Sequence, residues 1–159
     1  MTGSQVMVAL RVKATPQETF DVFTQEIGSW WRPNGLFQLT PRGDGQLRFE
    51  LGEQGRLVTD LPNGATFEIG RINAWVPGER LAFSWRQATF APDQTTHVEV
   101  RFEAVGEETR VTVEHRGWGL IPQEHAARHG FPLEPFQMRA AEHWRALLAA
   151  LAAQTAARR

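Results

Sequence analysis

The chain has 159 residues and a formal net charge of −1, with 17 basic and 18 acidic side chains. That length suits a single domain, here residues 1–159, and the balanced charge excludes the clustered basic surface that nucleic-acid binding requires. Cysteine is absent, which excludes disulfides and thiolate metal sites and favours a cytoplasmic location. No apolar run approaches the ~20 residues that cross a bilayer, so we expect no membrane insertion.

The first two predicted elements are a strand and a helix in two short pieces. Apolar and other residues alternate over Val6–Val12, as in a strand with one buried face. Thr15 then provides a helix cap, Pro16 suits the first helical position and Glu18 completes a capping box. We expect the two helical pieces to cover about residues 16–31.

Antiparallel strands fill the middle of the chain, between turns rich in glycine, proline, asparagine and aspartate. Apolar Val98 and Val100 alternate with charged Glu99 and Arg101, so one face of the sheet is apolar and the other is charged. The sheet is therefore expected to be covered on one side only. The clearest predicted strands are Thr66–Val76, Arg80–Arg86, Thr96–Val105 and Thr109–Arg116.

The last predicted element is a long amphipathic helix. Its apolar residues recur at the spacing of one helical face, while charged residues such as Arg139 and Glu142 take the remaining surface. A helix of roughly 20 residues spans ~30 Å, enough to cross the sheet. The order of elements predicts an α+β fold with helices on one face of an antiparallel sheet. The apolar stripe consists of Phe136, Ala140, Trp144, Leu147, Leu148 and Leu151.

The predicted strand at 66–76 permits two orientations. If Phe67, Ile69 and Trp75 face inward, Arg71 and Asn73 do so too, unless a bulge shifts the register. An inward Arg71 would need a carboxylate from the protein or from a ligand, because a buried unpaired charge is costly. The opposite orientation buries Gly70, Ile72, Ala74 and Val76 instead. A solvated Arg71 is favoured.

Several stretches resemble, in order and spacing, the bacterial homologues of the activator of heat-shock protein 90 ATPase, which belong to the START-like (SRPBCC) superfamily. The resemblance runs from about residue 6 to residue 152. The matching stretches are ATPQETFDVF at 14–23 with Trp30-Trp31, GRI at 70–72 with PGERLAFSW at 77–85, THVEVRF at 96–102 and TRVTVEHRGW at 109–118.

This resemblance implies a helix-grip (START/Bet v-like) fold. In that fold an antiparallel sheet of about seven strands curls around a long C-terminal helix, two short helices follow the first strand, and a cavity lies between sheet and helix. Many relatives have Gly-Trp where this chain has His143-Trp144, so the helix is expected to approach the sheet differently. The chain also has no room for the extra domain of the eukaryotic co-chaperone, and we therefore expect no chaperone partner.

Aromatic residues are the most distinctive feature of the composition, with six tryptophans and ten phenylalanines. They suit a filled core, since aromatics dominate core energetics in any fold. They equally suit the wall of a ligand cavity, which is mostly apolar with a few polar groups. Our candidate cavity residues are Trp30, Trp31, Phe37, Phe49, Phe67, Arg71, Trp75, Phe83, Trp85, Phe102, His115, Phe136 and Trp144.

Catalytic motifs are absent from the sequence. No serine lies in a nucleophile elbow, and there is no phosphate-binding or dinucleotide-binding glycine loop, so we expect no cofactor. His115 is a weak candidate for a general acid or base, with a hydrogen-bonded structural role as the favoured alternative. His125 and His129 share a helical spacing but make only half a metal site, so no metal is expected.

Three functions remain open from the sequence, and binding is favoured over catalysis. The first is binding of an apolar or aromatic small molecule between the sheet and the C-terminal helix, with Arg71, Asn73, Gln87 or His115 orienting its polar groups. The second is a START-like enzyme of the cyclase or hydrolase kind that uses His115. The third is a protein-interaction module related to the co-chaperone, for which a homodimer is left open.

Overall fold

The computed structural model describes residues 5–31, 46–50, 55–60, 64–85, 95–117 and 133–157. Seven strands form one antiparallel sheet in the order β1-β7-β6-β5-β4-β3-β2, with three helices beside it. This architecture confirms the predicted helix-grip fold. The elements are β1 (Gln5–Val12), α1 (Pro16–Gln25), α2 (Ile27–Trp30), β2 (Gln46–Phe49), β3 (Arg56–Asp60), β4 (Thr66–Val76), β5 (Arg80–Trp85), β6 (Thr96–Val105), β7 (Glu108–Arg116) and α3 (Leu133–Ala157).

The start of α1 is the capping box that the sequence predicts. The Glu18 backbone N–H donates to Thr15 Oγ1 at 3.1 Å, and the Thr15 N–H donates to Glu18 Oε1 at 3.4 Å. Two N–H groups that the helix cannot satisfy internally thus gain partners. The helix presents Phe20, Val22 and Phe23 to the core.

Replacing Thr15 with alanine is expected to lower the free energy of unfolding by about 1 kcal/mol, because the Glu18 N–H loses its acceptor. Urea unfolding followed by tryptophan fluorescence measures the change. The matched control is Thr15→Ser, which keeps the hydroxyl and should stay close to wild type. An alanine variant as stable as the serine variant would show that the cap contributes nothing.

The helix α3 buries the whole apolar stripe predicted for it, Phe136, Ala140, Trp144, Leu147, Leu148 and Leu151. At 25 residues it is longer than the predicted 20 or so. It packs mainly along β1 and against α1 and α2. No described helix is both long and apolar enough to span a bilayer.

The alternation predicted for β6 and β7 is confirmed. Val98, Val100 and Phe102 are buried on the inner face, whereas Arg101 and Glu103 are exposed on the outer one. Glu99 also belongs to the outer face, yet its residue is only 8% exposed. It lies beneath Arg80 and Arg101, whose Nε atoms donate to its Oε2 at 2.8 and 3.1 Å. The sheet therefore has one apolar and one charged face.

The strand β4 follows neither of the two simple alternations. Its register shifts against β3 between Leu57 and Val58, and against β5 between Ile72 and Ala74. Ile69 therefore has no opposite residue in β3, and Asn73 has none in β5, so each forms a bulge. Each bulge inverts the alternation, which lets both Ile69 and Ile72 enter the core. The side chain of Arg71 is consequently 72% exposed and its Nε lies 3.4 Å from Glu68 Oε2. The favoured prediction of a solvated Arg71 is therefore confirmed, and the inclusion of Arg71 among the candidate cavity residues was wrong.

Candidate functional site

Four indoles from three different elements meet where α2, β5 and α3 converge. We call Trp30, Trp31, Trp85 and Trp144 the tryptophan cluster. Trp31 stacks on Trp85, with ring centroids 5.4 Å apart and planes inclined by 28°. It meets Trp144 edge to face at 5.5 Å and 89°, and Trp30 at 5.8 Å. Such pairs contribute about 0.5–1.5 kcal/mol each beyond the burial of their area.

Burial within the tryptophan cluster is uneven. Trp30, Trp85 and Trp144 are fully buried, whereas Trp31 is 8% exposed. Trp30 Nε1 donates to Val22 O at 3.2 Å, and Trp144 Nε1 donates to His115 Nδ1 at 3.2 Å. Trp31 is thus the cluster indole closest to solvent.

A directed chain of hydrogen bonds runs through His115. Since His115 Nδ1 accepts from Trp144, the proton of the neutral ring lies on Nε2. Nε2 then donates to Thr96 Oγ1 at 2.8 Å, and that hydroxyl donates to Trp85 O at 3.1 Å. One imidazole therefore ties α3 to strands β7, β6 and β5.

Burial keeps His115 neutral. The side chain is fully enclosed, and this loss of hydration, together with nearby His97 and His143, lowers the pKa of His115 to about 3. Both ring nitrogens are engaged by protein groups. A general base needs a nitrogen available to its substrate, so this geometry favours the hydrogen-bonded structural role over the catalytic one.

His143 stands beside the tryptophan cluster, although the sequence did not suggest it as a site residue. Its ring meets Trp31 edge to face, with centroids 6.2 Å apart. The residue is 4% exposed, and burial lowers the pKa of its imidazole to about 4. The signal was present in α3, because His143 lies three residues after Ala140 and seven after Phe136 on the buried stripe.

The other aromatic candidates form a phenylalanine-rich group deeper along the sheet. Phe83 and Phe102 are buried there, Phe136 of α3 is buried in the same core, and Phe67 and Trp75 are partly buried against it. Phe49 lies 5.4 Å from Phe83, and Trp75 lies 6.4 Å from Phe49. Phe23 connects this group to the tryptophan cluster through Trp30, at 4.9 Å. The sequence thus named residues that the fold does bring together.

Some polar candidates do not join these rings. Asn73 is exposed on β4, like Arg71. Phe37, Gln87, His125 and His129 lie outside the described residues. Over the described ranges, no three histidine or acidic side chains are placed to hold a metal ion.

A family model described as "Activator of Hsp90 ATPase homolog 1-like protein" matches residues 13–155. That span is most of the chain. The chain belongs to this family. None of the curated proteins is similar to it in sequence.

Solved structures of similar fold include an Aha1 dimer and an HSP90 activator. Protein CV1439 from Chromobacterium violaceum is 16% identical, with a TM-score of 0.67 and 96% of both chains covered. The Aha1 dimer from Colwellia psychrerythraea is 15% identical, with a TM-score of 0.60 and 92% of both chains covered. PFC0360w, an HSP90 activator from Plasmodium falciparum, is 19% identical, with a TM-score of 0.59 and coverage of 89% of this chain and 87% of that one. At sequence identities this low, the similarity to these structures shows a shared fold alone.

This member of the activator family also has an open groove away from the tryptophan cluster. It lies between residues 24–29 and β2, with a volume of about 490 Å³. Its lining includes Glu26, Arg48 and Asp60. Arg48 binds Asp60 through two hydrogen bonds of 3.0 and 3.1 Å, and Gln154 donates to Glu26 at 2.7 Å. These charged groups are thus engaged with the protein itself.

Proposed function

We propose that the protein binds an apolar or aromatic small molecule in its interior, between the concave face of the sheet and α3. The observation that carries this proposal is the tryptophan cluster, in which Trp31 is close to solvent and stacked on buried Trp85. Indole faces offer large apolar areas with a defined stacking geometry. The missing cysteines support a cytoplasmic location as part of the same proposal.

The polar groups near the cluster support recognition by shape and stacking. His115, Thr96 and Trp144 satisfy one another through hydrogen bonds, and among the described residues the bonds of this chain join no charged side chain. A ligand that stacks on Trp85 would therefore gain mainly from apolar burial, at roughly 25 cal/mol per Å². This favours an uncharged, flat compound.

A protein-interaction role is the second candidate, because the relatives include a dimer and an Hsp90 activator. Such a role calls for a contiguous exposed apolar patch. The large apolar side chains exposed in the described part of the chain are Met7, Val76 and Met138, which lie on β1, β4 and α3. This scatter over three elements supports the small-molecule proposal over the interaction role.

Calorimetric titration with indole, naphthalene, dodecanoate and a sterol tests the proposal. We expect at least one compound to bind the wild type, and Trp85→Leu to weaken that binding about tenfold through loss of stacking and apolar contact. The matched control is Trp75→Leu, which makes the same replacement in the phenylalanine-rich group and should leave the affinity nearly unchanged. Circular dichroism establishes that both variants are folded.

If the Trp85 variant proves unfolded, Trp85→Phe takes its place, with an expected loss of about threefold. Equal weakening by the Trp85 and Trp75 replacements would contradict a site at the tryptophan cluster. If no panel compound binds, and light scattering shows a stable dimer, the interaction role replaces the proposal.

A further inference from the structure

We infer that the Trp31 side chain is a built-in plug, which a planar two-ring aromatic ligand displaces in order to stack on Trp85 in its place. This inference rests on the proposed function. It specifies the class of the ligand and how the ligand reaches Trp85. The Trp31 ring contacts the rings of Trp30, Trp85, His143 and Trp144.

The Trp31 indole fills a space bounded by the rings of Trp85, Trp144 and His143, which we call the box. A flat bicyclic molecule has the shape to fill it. Trp85 forms the floor, nearly parallel at 28°. Trp144 and His143 form two walls, inclined to Trp31 by 89° and 86°. A second indole-sized ring would find the same stacking partner and the same edge-to-face contacts that Trp31 now makes.

Trp31 is also the cluster indole whose side chain is held least firmly. Trp30 and Trp144 are each fixed by a hydrogen bond from the indole nitrogen. Within the described ranges, by contrast, no side-chain hydrogen bond holds Trp31. The loss on displacement therefore consists of ring contacts of about 0.5–1.5 kcal/mol each and of the apolar burial of the indole, at roughly 25 cal/mol per Å². An incoming aromatic ring restores the contacts and the burial of Trp85 and the two walls.

The backbone at Trp31 lets the ring leave without unfolding the helices. Trp31 is the C-cap of the four-residue helix α2, with φ −71° and ψ 113°. Its N–H donates to Ile27 O at 2.9 Å, which fixes the main chain. Rotation about the side-chain bonds can then carry the indole outward, because a staggered rotamer change needs no movement of the backbone.

The walls of the box define the chemistry of the ligand further. His143 is neutral at physiological pH, since burial lowers the pKa of its imidazole to about 4. Trp144 directs its only polar atom, Nε1, to His115 and not into the box. The described walls of the box are thus uncharged and present mainly ring carbon, with the His143 imidazole as their polar part, which selects an uncharged fused-ring compound such as indole or naphthalene over an aliphatic acid.

Fluorine NMR of the full-length protein labelled with 5-fluorotryptophan tests this plug. The probes are indole and naphthalene, and the Trp31 signal is assigned by its absence in Trp31→Phe. On saturation with the bound probe, we expect the Trp31 signal to move most and to gain the solvent isotope shift of an exposed indole. The Trp75 signal, assigned in the same way, is the internal control and should hardly move.

A second measurement uses the affinity of Trp31→Ala for the same probe, which we expect to rise about tenfold because no side chain competes for the box. If the wild type binds the probe while the Trp31 signal remains buried, or if Trp31→Ala binds no more tightly, the plug is overturned and the proposed function stands. If the wild type binds neither these probes nor any other panel compound, the proposed function itself fails.

Discussion

Acidification from pH 7 to pH 4.5 is expected to lower the free energy of unfolding by about 5 kcal/mol, chiefly through two buried histidines. The folded protein holds the pKa of His115 at about 3 and that of His143 at about 4, against an ordinary value of 6.5. Between pH 6.5 and these values, the unfolded chain takes up protons that the folded chain refuses. Stability is therefore full above pH 6.5 and falls as the pH is lowered.

Carboxylates contribute in a different pH range. Hydrogen bonds from Arg80 and Arg101 hold the pKa of Glu99 below its usual value, and an arginine partner lowers those of Glu50 and Asp60 in the same way. Their stabilising contribution is present above the unfolded pKa values and is lost only as the pH falls through the folded ones. The window from pH 6.5 to pH 4.5 therefore reports mainly on the histidines.

Urea unfolding at several pH values measures this effect, with His115→Gln as the matched variant. Because the variant retains only His143 of the pair, its loss of stability between pH 7 and pH 4.5 should be about half that of wild type. It should also be less stable at pH 7, by roughly 2–3 kcal/mol, since the bonds to Thr96 and Trp144 are disturbed. A wild-type stability that is flat between pH 7 and pH 5 would contradict the buried, neutral state of both rings.

Replacing Gly70 with alanine is expected to lower the free energy of unfolding by roughly 3 kcal/mol. Gly70 lies on β4, opposite Leu57 of β3, at the first bulge. A β-carbon at this position would overlap the backbone carbonyl of Ser84 on β5. No rotamer relieves this overlap, because the β-carbon is fixed by the backbone, so β4 and β5 would have to separate. The Arg71 N–H bond to Ser84 Oγ, at 2.9 Å, would be lost with them.

The matched control for this replacement is Gly106→Ala. Gly106 has φ +62° and no atom near its missing β-carbon, so its replacement introduces only the strain of left-handed backbone, about 1 kcal/mol. Thermal and urea unfolding should rank Gly70→Ala well below Gly106→Ala. If the two variants are equally stable, close approach of β5 is not what requires glycine at position 70.

The elements with regular periodicity were predictable, because in each of them one face is buried and the position of a residue in the repeat decides on which face it lies. The stripe of α3 and the alternation of β6 and β7 needed no knowledge of partners, and the capping box of α1 is a local motif. The alternation of β4 could not be predicted, because its two bulges depend on register against β3 and β5. Arg71 was consequently kept among the candidate cavity residues, whereas its side chain is exposed.

The site was predictable only as a set of residue types. The inward position of His115 follows from the alternation of β7, but its two partners are 19 and 29 residues away in sequence. That distance is why a structural histidine and a catalytic one remained alternatives. The role of His143 beside Trp31 depends on how α3 lies against α2, which no local pattern contains.

Binding of an apolar or aromatic molecule in the interior is tested most directly by the native mass spectrum of the purified full chain. We expect a stoichiometric extra mass, which is lost on denaturation and which organic extraction identifies as a flat, uncharged compound. A ligand-free mass, together with no binding of any compound in the titration panel, would contradict binding in the interior and favour the interaction role.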